Sequence, residues 1–455
     1  MRIHFISIGG SVMHQLAIAL KNKGYIITGS DDEIFEPAAT NLRLAGILPG
    51  KTGWFPENIT SDMDAIILGM HAKEDNPELK KAMELKVKIY SFPEYIYQES
   101  LHKKRIAIGG SHGKTTTTAM VMHVLKNAGI DFDYLVGARL NGFEQSVKIT
   151  DAPLIVCEAD EYPASAVEKR PKFHFLFPHI AVITGIAWDH INVFPTFDIY
   201  LQQFIIFIKK IEKGGVLIYN ETDEILRKLV NDNKRLDIRY IPYQLPENFI
   251  ENGITKVLTG SQKVSLCVFG NHNLLNLQAA FNVCKELSID DVTFAREISN
   301  FTGAAKRLEL VARKGDTNVY RDFAHAPSKV EASVNAVKEQ FPERKLIAIL
   351  ELHTFSSLNA DFMTEYKGAL DKADEAIVFY SNHALELKRM KSLDPQKVRD
   401  GFQKQNLVVI TDRVQLEKKI NEMNSDHANF LFMSSGNYDG MNILLNLNLE
   451  AKNLN

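Results

Sequence analysis

Glycine, lysine and threonine stand together in one short run, residues 109–116, which reads GGSHGKTT. Glycines at a strand-to-helix turn let backbone N–H groups point at phosphate oxygens, and the helix N-terminus adds partial positive charge. In such a loop Lys114 can reach the β- and γ-phosphates of a nucleotide, and the Thr115 hydroxyl can bind Mg²⁺. Ile108 stands where the usual loop has its first glycine, which leaves a shorter GxxGKT form. We expect a triphosphate site here; the alternative is a glycine-rich turn with a solvated lysine.

Two further candidates stand where strands are expected to end. Glu158 closes the apolar run PLIVCE, and Asp189-His190 follows the run AVIT by a short loop. Because the carboxyl ends of parallel strands form the ligand-binding edge of an α/β sheet, these side chains should share that edge with the phosphate loop. A carboxylate there could hold Mg²⁺, which prefers oxygen ligands. Taken singly, a strand-end glutamate can also be structural or solvated, and an Asp-His pair can be an ordinary loop pair.

A second glycine loop lies near the N-terminus, at Gly9 and Gly10. Asp31 follows Gly9 by 22 positions, which is roughly the spacing of a dinucleotide site with its carboxylate near the ribose hydroxyls. Ser7 and Val12 occupy two positions that are glycine in the full dinucleotide motif. This departure disfavours a dehydrogenase, and a different nucleotide such as a UDP-sugar fits equally well. A tight structural turn is the remaining interpretation.

The elements that must position these residues alternate along the chain. Short β-branched runs are separated by amphipathic stretches, which is typical of βαβ units and a parallel sheet. Helices are expected over residues 11–23, ended by Gly24, and over residues 114–127. The expected strands are 3–8, 25–28, 65–68, 105–108, 154–157, 181–184, 216–219, 319–323, 345–350, 376–379, 407–410 and 429–433.

These elements group into three α/β blocks, over residues 1–102, 103–306 and 307–455. We expect a Rossmann-like N-terminal domain, a central P-loop ATPase-like parallel sheet and a Rossmann-like C-terminal domain. A length of 455 residues fits three domains of about 150 residues each.

The composition excludes several classes of protein. Hydrophobic residues make up 45% of the chain and charged residues 24%, which is ordinary for a globular protein and not for a disordered or collagen-like one. A net charge of −3 provides no global basic excess for nucleic acid or an anionic membrane. The three cysteines lack metal-binding spacing and favour a reduced, cytosolic compartment. The longest apolar stretch, residues 204–208, is too short to span a membrane.

The order of the motifs is similar to that of the Mur ligases, the ATP-dependent amide-forming enzymes of bacterial cell-wall synthesis. The similarity covers nearly the whole chain and runs through IGGSVM, GGSHGKTTTT, EADEY, the Asp-His pair, GNHNLLNLQAA, FTGAAKRLE and DFAHAP. Each motif is modest, whereas all seven in order are highly specific. Within the family, the chain most resembles the murein peptide ligases, at SDDEIFEP (residues 30–37) and at KRPKF (residues 169–173) after EADEY. The UDP-N-acetylmuramate–L-alanine ligases are near relatives that share GGSHGKT and EADE.

The resemblance implies roles for individual residues. UDP-N-acetylmuramate would be bound by Gly9, Gly10, Ser11, Met13, Asp31 and His71. ATP would be bound by Gly110, Ser111, His112, Gly113, Lys114, Thr115, Thr116, His272, Asn273, Asn276, Arg307 and Asp322. The metal ligands for Mg²⁺ would be Thr115, Glu158 and His190, and the catalytic residues Lys114, Glu158 and His190. The amine substrate would be faced by Phe323, His325 and His353.

The sequence departs from the family at three places. Thr184-Gly185 replaces the Thr-Asn pair that often precedes the Asp-His motif. Some members use a carbamoylated lysine after that histidine; Phe204 and Ile205 stand near its place here, so none is expected. An arginine-containing stretch of the murein peptide ligases reads ELHTFSS here, at residues 351–357. His353 would take over the contact to the peptide carboxylates or serve as a packing residue.

The resemblance therefore implies an ATP- and Mg²⁺-dependent ligase that acts in cell-wall recycling. It would join the murein tripeptide L-Ala-γ-D-Glu-meso-diaminopimelate to UDP-N-acetylmuramate through an acyl phosphate. The nearest alternative is the same chemistry with L-alanine as the amine. A non-catalytic nucleotide-binding regulator and an oxidoreductase are more distant alternatives; Lys114, Thr115, Glu158 and His190 together argue against the regulator.

Overall fold

A computed structural model describes residues 1–137, 140–188, 193–304, 307–423 and 426–443. The chain divides into two compact units, each built from two stretches of sequence. The first unit contains Met1–Gln244 and Leu275–Glu297, and the second contains Leu245–Leu274 and Ile298–Asn455. Among the described residues, no helix is both long enough and apolar enough to cross a membrane.

The first unit begins with a four-stranded parallel sheet in the order β2-β1-β3-β4. Its central strands are buried on both faces, as the continuous apolar run of the second of them, AIIL, predicts. Gly24 has φ +94° directly after the first helix, which confirms it as the glycine that ends the helix. The elements are β1 (Arg2–Ile6), α1 (Met13–Asn22), β2 (Ile26–Ser30), α2 (Ala38–Leu44), β3 (Ala65–Leu68), α3 (Pro77–Glu84), β4 (Ile89–Ser91) and α4 (Phe92–Glu99).

A seven-stranded sheet completes the first unit, in the order β11-β10-β9-β5-β8-β6-β7. Its strands are parallel except for the edge strand β7, which runs antiparallel to β6. The elements are β5 (Lys104–Gly109), α5 (Lys114–Asn127), β6 (Asp133–Leu135), β7 (Val147–Lys148), β8 (Leu154–Glu158), β9 (Ile180–Ile183), α6 (Phe197–Lys209), β10 (Val216–Asn220), α7 (Glu224–Asp232) and β11 (Arg239–Tyr243). Most of two further helices also belong to this unit, α8 (Asn271–Glu286) and α9 (Asp291–Ile298).

The second unit contains a three-stranded antiparallel sheet and a six-stranded sheet in the order β15-β16-β20-β17-β18-β19. The larger sheet is parallel except for β15 at its edge. The strands of the small sheet are β12 (Asn248–Glu251), β13 (Ile254–Thr259) and β14 (Gln262–Ser265). The elements of the large sheet are β15 (Glu309–Lys314), β16 (Thr317–Asp322), α10 (Pro327–Gln340), β17 (Lys345–Glu351), β18 (Glu375–Phe379), α11 (Asn382–Leu387), α12 (Pro395–Phe402), β19 (Val408–Ile410), α13 (Arg413–Asn421) and β20 (Ala428–Met433).

The chain thus has the predicted three-domain α/β fold, and the predicted parallel strands form within a few residues of their expected bounds. The antiparallel strands β7, β12–β14 and β15 are the difference from an all-parallel expectation. In β13, buried and less buried residues alternate, because only one face of that strand is covered. Such a strand carries a weaker apolar signal than a buried parallel strand.

Candidate active site

The glycine-rich run lies between the end of β5 at Gly109 and the start of α5 at Lys114. Gly110 (φ +123°) and Gly113 (φ +85°) adopt left-handed backbone conformations that favour glycine. A Cβ at Gly113 would overlap the side-chain amide of Asn276 on α8. Because the first amides of a helix lack partners within the helix, this loop has the construction of an anion site.

Two acceptors hold the ammonium of Lys114. Its Nζ donates to the carbonyl of Gly110 at 2.7 Å and to Oε2 of Glu161 at 2.8 Å. Burial alone would lower the pKa of Lys114, but the carboxylates of Glu161, Asp160 and Glu158 outweigh burial and raise it. The lysine is therefore charged at neutral pH and can neutralise part of the charge of a phosphate group.

Thr115 and Glu158 meet beside the loop. The hydroxyl of Thr115 donates to Oε1 of Glu158 at 2.7 Å, and the backbone N–H of Gly137 donates to Oε2 at 2.9 Å. Glu158 ends β8 directly beside β5, so the register of two strands brings the carboxylate to the loop. A hydroxyl and a carboxylate at hydrogen-bond distance are oxygen donors of the kind that Mg²⁺ prefers, so this pair fits the expected metal.

The third expected member of this edge is the Asp-His pair. Strand β9 pairs with β5 on the side opposite β8, and Thr184 follows it. The hydroxyl of Thr184 donates to the carbonyls of Gly109 and His112, so this strand end also contacts the phosphate loop. Asp189 and His190 lie outside the described residues, and the metal and catalytic roles of His190 stay predictions.

The sequence did not predict a buried group of polar side chains that lies beside Lys114. Ser111 Oγ lies 2.8 Å from the hydroxyl of Tyr200 and accepts a hydrogen bond from the N–H of Ala187. Tyr200 in turn donates to Oε1 of Glu161 at 3.4 Å. The acidic run of residues 158–161 could have indicated Glu161, but Tyr200 stands in an apolar helix with no motif to mark it.

The N-terminal glycine loop contacts Asp31, as its spacing predicts. The N–H of Gly9 donates to Oδ2 of Asp31 at 2.7 Å, and Nδ1 of His71 lies 3.5 Å from Oδ1. Burial raises the pKa of Asp31, and the N–H of Gly9 and the His71 ring reduce this rise without cancelling it. Asp31, Asp32 and His71 offer ligand atoms within 4.8 Å of one another, so a cation could also bind them.

The other predicted sugar-site residues are close in the chain to this contact. Gly10 packs against Met13, whose Cγ would lie 3.2 Å from a Cβ at Gly10. Ser11 is exposed and Met13 is buried. The structure therefore brings the loop, Asp31 and His71 together, while the ligand that they bind stays a prediction.

In the second unit, one pair of predicted residues interacts electrostatically, and a second group of predicted residues is in contact. His272 is close enough to Asp322 that the carboxylate opposes the effect of burial, which lowers the pKa of His272. The guanidinium of Arg307 lies 4.6 Å from the ring centre of Phe323, and Phe323 packs edge to face with His325. His272 also lines a cavity of about 120 Å³ with residues of α10.

Asn273 and Asn276 lie near the start of α8. Asn273 donates to the carbonyl of Phe269 at 2.9 Å, whereas Asn276 in the first unit accepts from the hydroxyl of Thr117 at 3.3 Å. Both asparagines are buried. Asn276 is thus adjacent to the phosphate loop, and the predicted contact of either side chain with adenine stays a prediction.

His353 stands just beyond the end of β17, next to a buried carboxylate. Its Nδ1 is 3.7 Å from Oε1 of Glu351, and a Cβ at Gly436 would lie 2.8 Å from its ring. Glu351 also accepts from the hydroxyl of Ser434 and from the N–H of Tyr438. The side chain of His353 is 34% exposed, so it is packed on one side and open on the other, which leaves both of its predicted roles available.

Comparison with known proteins finds three family domains matched in order along the chain. Residues 2–104 match the domain described as Mur ligase family, catalytic domain, residues 108–284 the Mur ligase middle domain, and residues 306–436 the Mur ligase, glutamate ligase domain. The UDP-N-acetylmuramate–L-alanine ligase of Sulfurihydrogenibium sp. is 32% identical over 385 residues, which cover 83% of this chain and 82% of that protein. The enzyme of that name from Aquifex aeolicus is 28% identical over 448 residues, covering 96% and 95%.

Solved structures share the fold at lower identity. A murein peptide ligase from Psychrobacter arcticus has a TM-score of 0.63 at 22% identity, and covers 97% of each chain. The UDP-N-acetylmuramate–alanine ligase of Thermotoga maritima has a TM-score of 0.68 at 23% identity, with the same coverage. With the domain matches, the sequence relatives and the phosphate loop in agreement, the chain belongs to the Mur ligase family, whose members are ATP-dependent amide ligases that form C–N bonds.

Proposed function

We propose that this ligase joins the murein tripeptide L-Ala-γ-D-Glu-meso-diaminopimelate to UDP-N-acetylmuramate. Residues 1–102 would bind the UDP-sugar, residues 103–306 ATP, and residues 307–455 the amine. The observation that carries the proposal is the charged Lys114 beside the Thr115–Glu158 oxygen pair on one glycine loop. Such a site is suited to moving a phosphoryl group between two anions.

The first step activates the lactyl carboxylate of the sugar. A carboxylate oxygen forms a bond to the γ-phosphorus of ATP, and the bond from that phosphorus to the β–γ bridging oxygen breaks, which leaves ADP and an acyl phosphate. Both reactants are anions, so the step requires positive charge held in place. Lys114 and the first amides of α5 would provide it at the phosphates.

Thr115 and Glu158, with His190 from outside the described residues, would hold Mg²⁺, which supplies charge neutralisation for phosphoryl transfer. The observed hydrogen bond between Thr115 and Glu158 places two of these donors together. The carboxylate of Glu158 is also held by the N–H of Gly137, which fixes its orientation.

The second step forms the amide. The neutral N-terminal amine attacks the acyl carbon, the C–N bond forms, and phosphate leaves with the electron pair of the broken C–O bond while the nitrogen loses a proton. Phe323, His325 and His353 are the residues that we assign to the amine. The contact of Phe323 with Arg307 and His325 supports a common role for Phe323 and His325.

The choice of tripeptide as amine rests on the segment 169–173, which resembles the murein peptide ligases. This segment turns back on the acidic run: Lys172 donates to Asp160 at 2.8 Å, and Pro163 forms an isolated bridge with Pro171. The segment is therefore ordered next to the residues that surround Lys114. A second candidate amine is L-alanine, favoured by the relatives named UDP-N-acetylmuramate–L-alanine ligase.

A phosphate-release assay separates the two amines. The purified chain is given ATP, Mg²⁺ and UDP-N-acetylmuramate together with the tripeptide, L-alanine or no amine, and products are identified by mass. We expect the tripeptide to give the highest kcat/KM and a product mass equal to the sugar plus tripeptide less water. A higher kcat/KM for L-alanine would favour the second candidate over the tripeptide. If neither amine stimulated phosphate release, the ligase assignment at this site would be contradicted.

A further inference from the structure

Glu161 is a buried carboxylate that the mechanism above does not use. Its side chain is 1% exposed, and it accepts a hydrogen bond from the Lys114 ammonium at 2.8 Å. The same ammonium is the group proposed to meet the phosphates of the nucleotide. A phosphate that approaches Lys114 therefore meets a cation already paired with an internal anion, at a place from which water is largely excluded.

Other contacts hold Glu161 in this position. Tyr200 donates to Oε1 of Glu161 at 3.4 Å, whereas Lys114 binds Oε2, and the Tyr200 hydroxyl lies 2.8 Å from Oγ of Ser111 in the phosphate loop. Tyr200 is fully buried within α6. The pairing of Lys114 with Glu161 is therefore supported by a third element of the unit and is not a chance surface contact.

The charges near the loop favour one form of the nucleotide. Lys114 pairs with Glu161, and Lys172 pairs with Asp160, which leaves Glu158 as an anion bound only by neutral donors among the contacts described. Among the described side chains named here, two ammonium groups thus lie beside three carboxylates. A free nucleotide brings further negative charge to this place, whereas a nucleotide complexed with a divalent cation brings less and offers a partner for Glu158.

We propose that Glu161 is a specificity-determining residue that makes the phosphate loop select the metal-complexed nucleotide over the free nucleotide. By neutralising Lys114 within the protein, Glu161 removes the attraction that would otherwise bind an uncomplexed polyphosphate. The inference rests on the proposed function, because it takes the loop to be the ATP site.

The test compares ADP affinity with and without metal, by calorimetry in excess Mg²⁺ and in excess EDTA. For Glu161→Gln we expect free ADP to bind about tenfold more tightly than in the wild type, because a nearby negative charge is gone. The affinity for ADP with Mg²⁺ should change less than about threefold, because the cation already offsets that charge. Glu168→Gln is the matched control, since it removes the same charge from a carboxylate that pairs with Arg170 and not with Lys114, and we expect a change of less than about threefold for both forms.

The results for these variants decide the test. Unchanged or weaker binding of free ADP by Glu161→Gln, or an equal effect of Glu168→Gln, would overturn the inference. If Glu161→Gln does not fold, Tyr200→Phe is used instead, because it removes a hydrogen bond to the same carboxylate. Tighter binding of free ADP by Tyr200→Phe would support the inference, and unchanged binding would contradict it. Lys114→Met separates the two proposals. If it leaves the affinities for free ADP and for ADP with Mg²⁺ unaltered, the loop is not the nucleotide site and the proposed function is wrong. If it abolishes both affinities while Glu161→Gln has no effect, only the inference about Glu161 is wrong.

Discussion

At the scale of single residues, Lys114 carries the largest share of the proposed chemistry. It is charged, it is held by Gly110 and Glu161, and it follows a loop whose glycines have left-handed backbones. For Lys114→Met we expect kcat to fall by about 10²–10³, equivalent to roughly 3–4 kcal/mol in the barrier, because one oriented charge on the transferring phosphoryl group is lost. Phosphate release measures this. Lys126→Met, a loss of the same charge at the other end of α5, is the control, and an equal fall in both variants would contradict the role.

Glu158 offers the test of the metal site at the same scale. Its two oxygens contact Thr115 and Gly137, and Glu158→Gln keeps the size of the side chain while removing its charge. Because Mg²⁺ prefers anionic oxygen ligands, we expect the Mg²⁺ concentration for half-maximal phosphate release to rise by about tenfold or more. Glu168→Gln removes a charge that is paired with Arg170 instead and should leave the Mg²⁺ curve in place. An unshifted curve for Glu158→Gln would exclude it as a ligand.

Some residues around the phosphate loop could be predicted from the sequence, and others could not. Lys114 and Thr115 are set by a spacing within one loop, and Glu158 by its position at the end of an apolar run, so local pattern is enough. Glu161 and Tyr200 meet over 39 positions of sequence, and their contact depends on how α6 packs on the sheet. A tyrosine in an apolar helix has no local signal that separates a polar contact from ordinary packing.

At the scale of elements, the junction of β5 with α5 depends on Gly113. Alanine there would meet the Asn276 amide of α8 and would also hold a left-handed backbone, so we expect Gly113→Ala to lose ADP binding. Gly129→Ala is the matched control: Gly129 has φ +72° just beyond the other end of α5, and nothing lies within 4 Å of an added Cβ. Calorimetry with ADP distinguishes the two. Equal losses would assign the effect to backbone strain alone and contradict the overlap with Asn276.

A buried polar network joins the elements of the N-terminal sheet. His4 on β1, Ser30 on β2 and the N–H of Phe55 all contact the carboxylate of Glu78 on α3, and Glu78 is fully buried. Burial alone would raise the pKa of Glu78, but the contacts with His4, Ser30 and Phe55 outweigh it and lower the pKa below its usual value. Ser30 directly precedes Asp31, so the network fixes the strand end that contacts the glycine loop.

The lowered pKa gives a prediction of stability against pH. As pH falls, the unfolded chain takes up the proton on Glu78 before the folded chain does, so the contribution of Glu78 is complete at neutral pH and is lost in acid. At pH 7 we expect Glu78→Gln to lower the free energy of unfolding by about 2 kcal/mol, and the difference from the wild type to shrink at and below about pH 4.

Thermal unfolding followed by Trp54, with Trp188 replaced by Phe in every variant, reports on this region because Trp54 is next to Phe55. Glu84→Gln, at an exposed position of the same helix that pairs with Lys81, is the control. A difference that stays constant from neutral to acid pH would show that Glu78 does not titrate as argued.

The elements also show why one part of the fold was harder to predict than the rest. Strand β3 has the expected bounds, as has helix α5, because a short buried β-branched run and a capped helix are local patterns. The antiparallel strands β12–β14 are only four to six residues long, and none of them is a continuous apolar run. Their pairing depends on the adjacent strand and not on their own sequence, so an all-parallel α/β chain was the expectation.

At the scale of the whole molecule, the residues proposed for the UDP-sugar and those proposed for the amine fall in different compact units. The residues assigned to the UDP-sugar and the phosphate loop fall in the first unit, and those assigned to the amine fall in the second. The order of domains was predictable because each strand, loop and helix signal is local. The division into two units, in which residues 245–274 join the later part of the chain, was not predictable, because it depends on contacts between distant segments.

This division predicts which part of the chain each ligand stabilises. A ligand that binds only the folded state adds about 2.7 kcal/mol at a concentration of 100 times its Kd, and the gain applies to the unit that holds it. With UDP-N-acetylmuramate at that ratio, we expect hydrogen exchange to slow in β1 and β3 of the first unit and to stay unchanged in β18 and β19 of the second. Asp31→Asn is the matched variant, since it keeps the size of the side chain that accepts from Gly9 but removes its charge, and it should weaken the protection at the same ligand concentration. Protection confined to the second unit would place the sugar there and overturn the assignment of residues 1–102, whatever the amine proves to be.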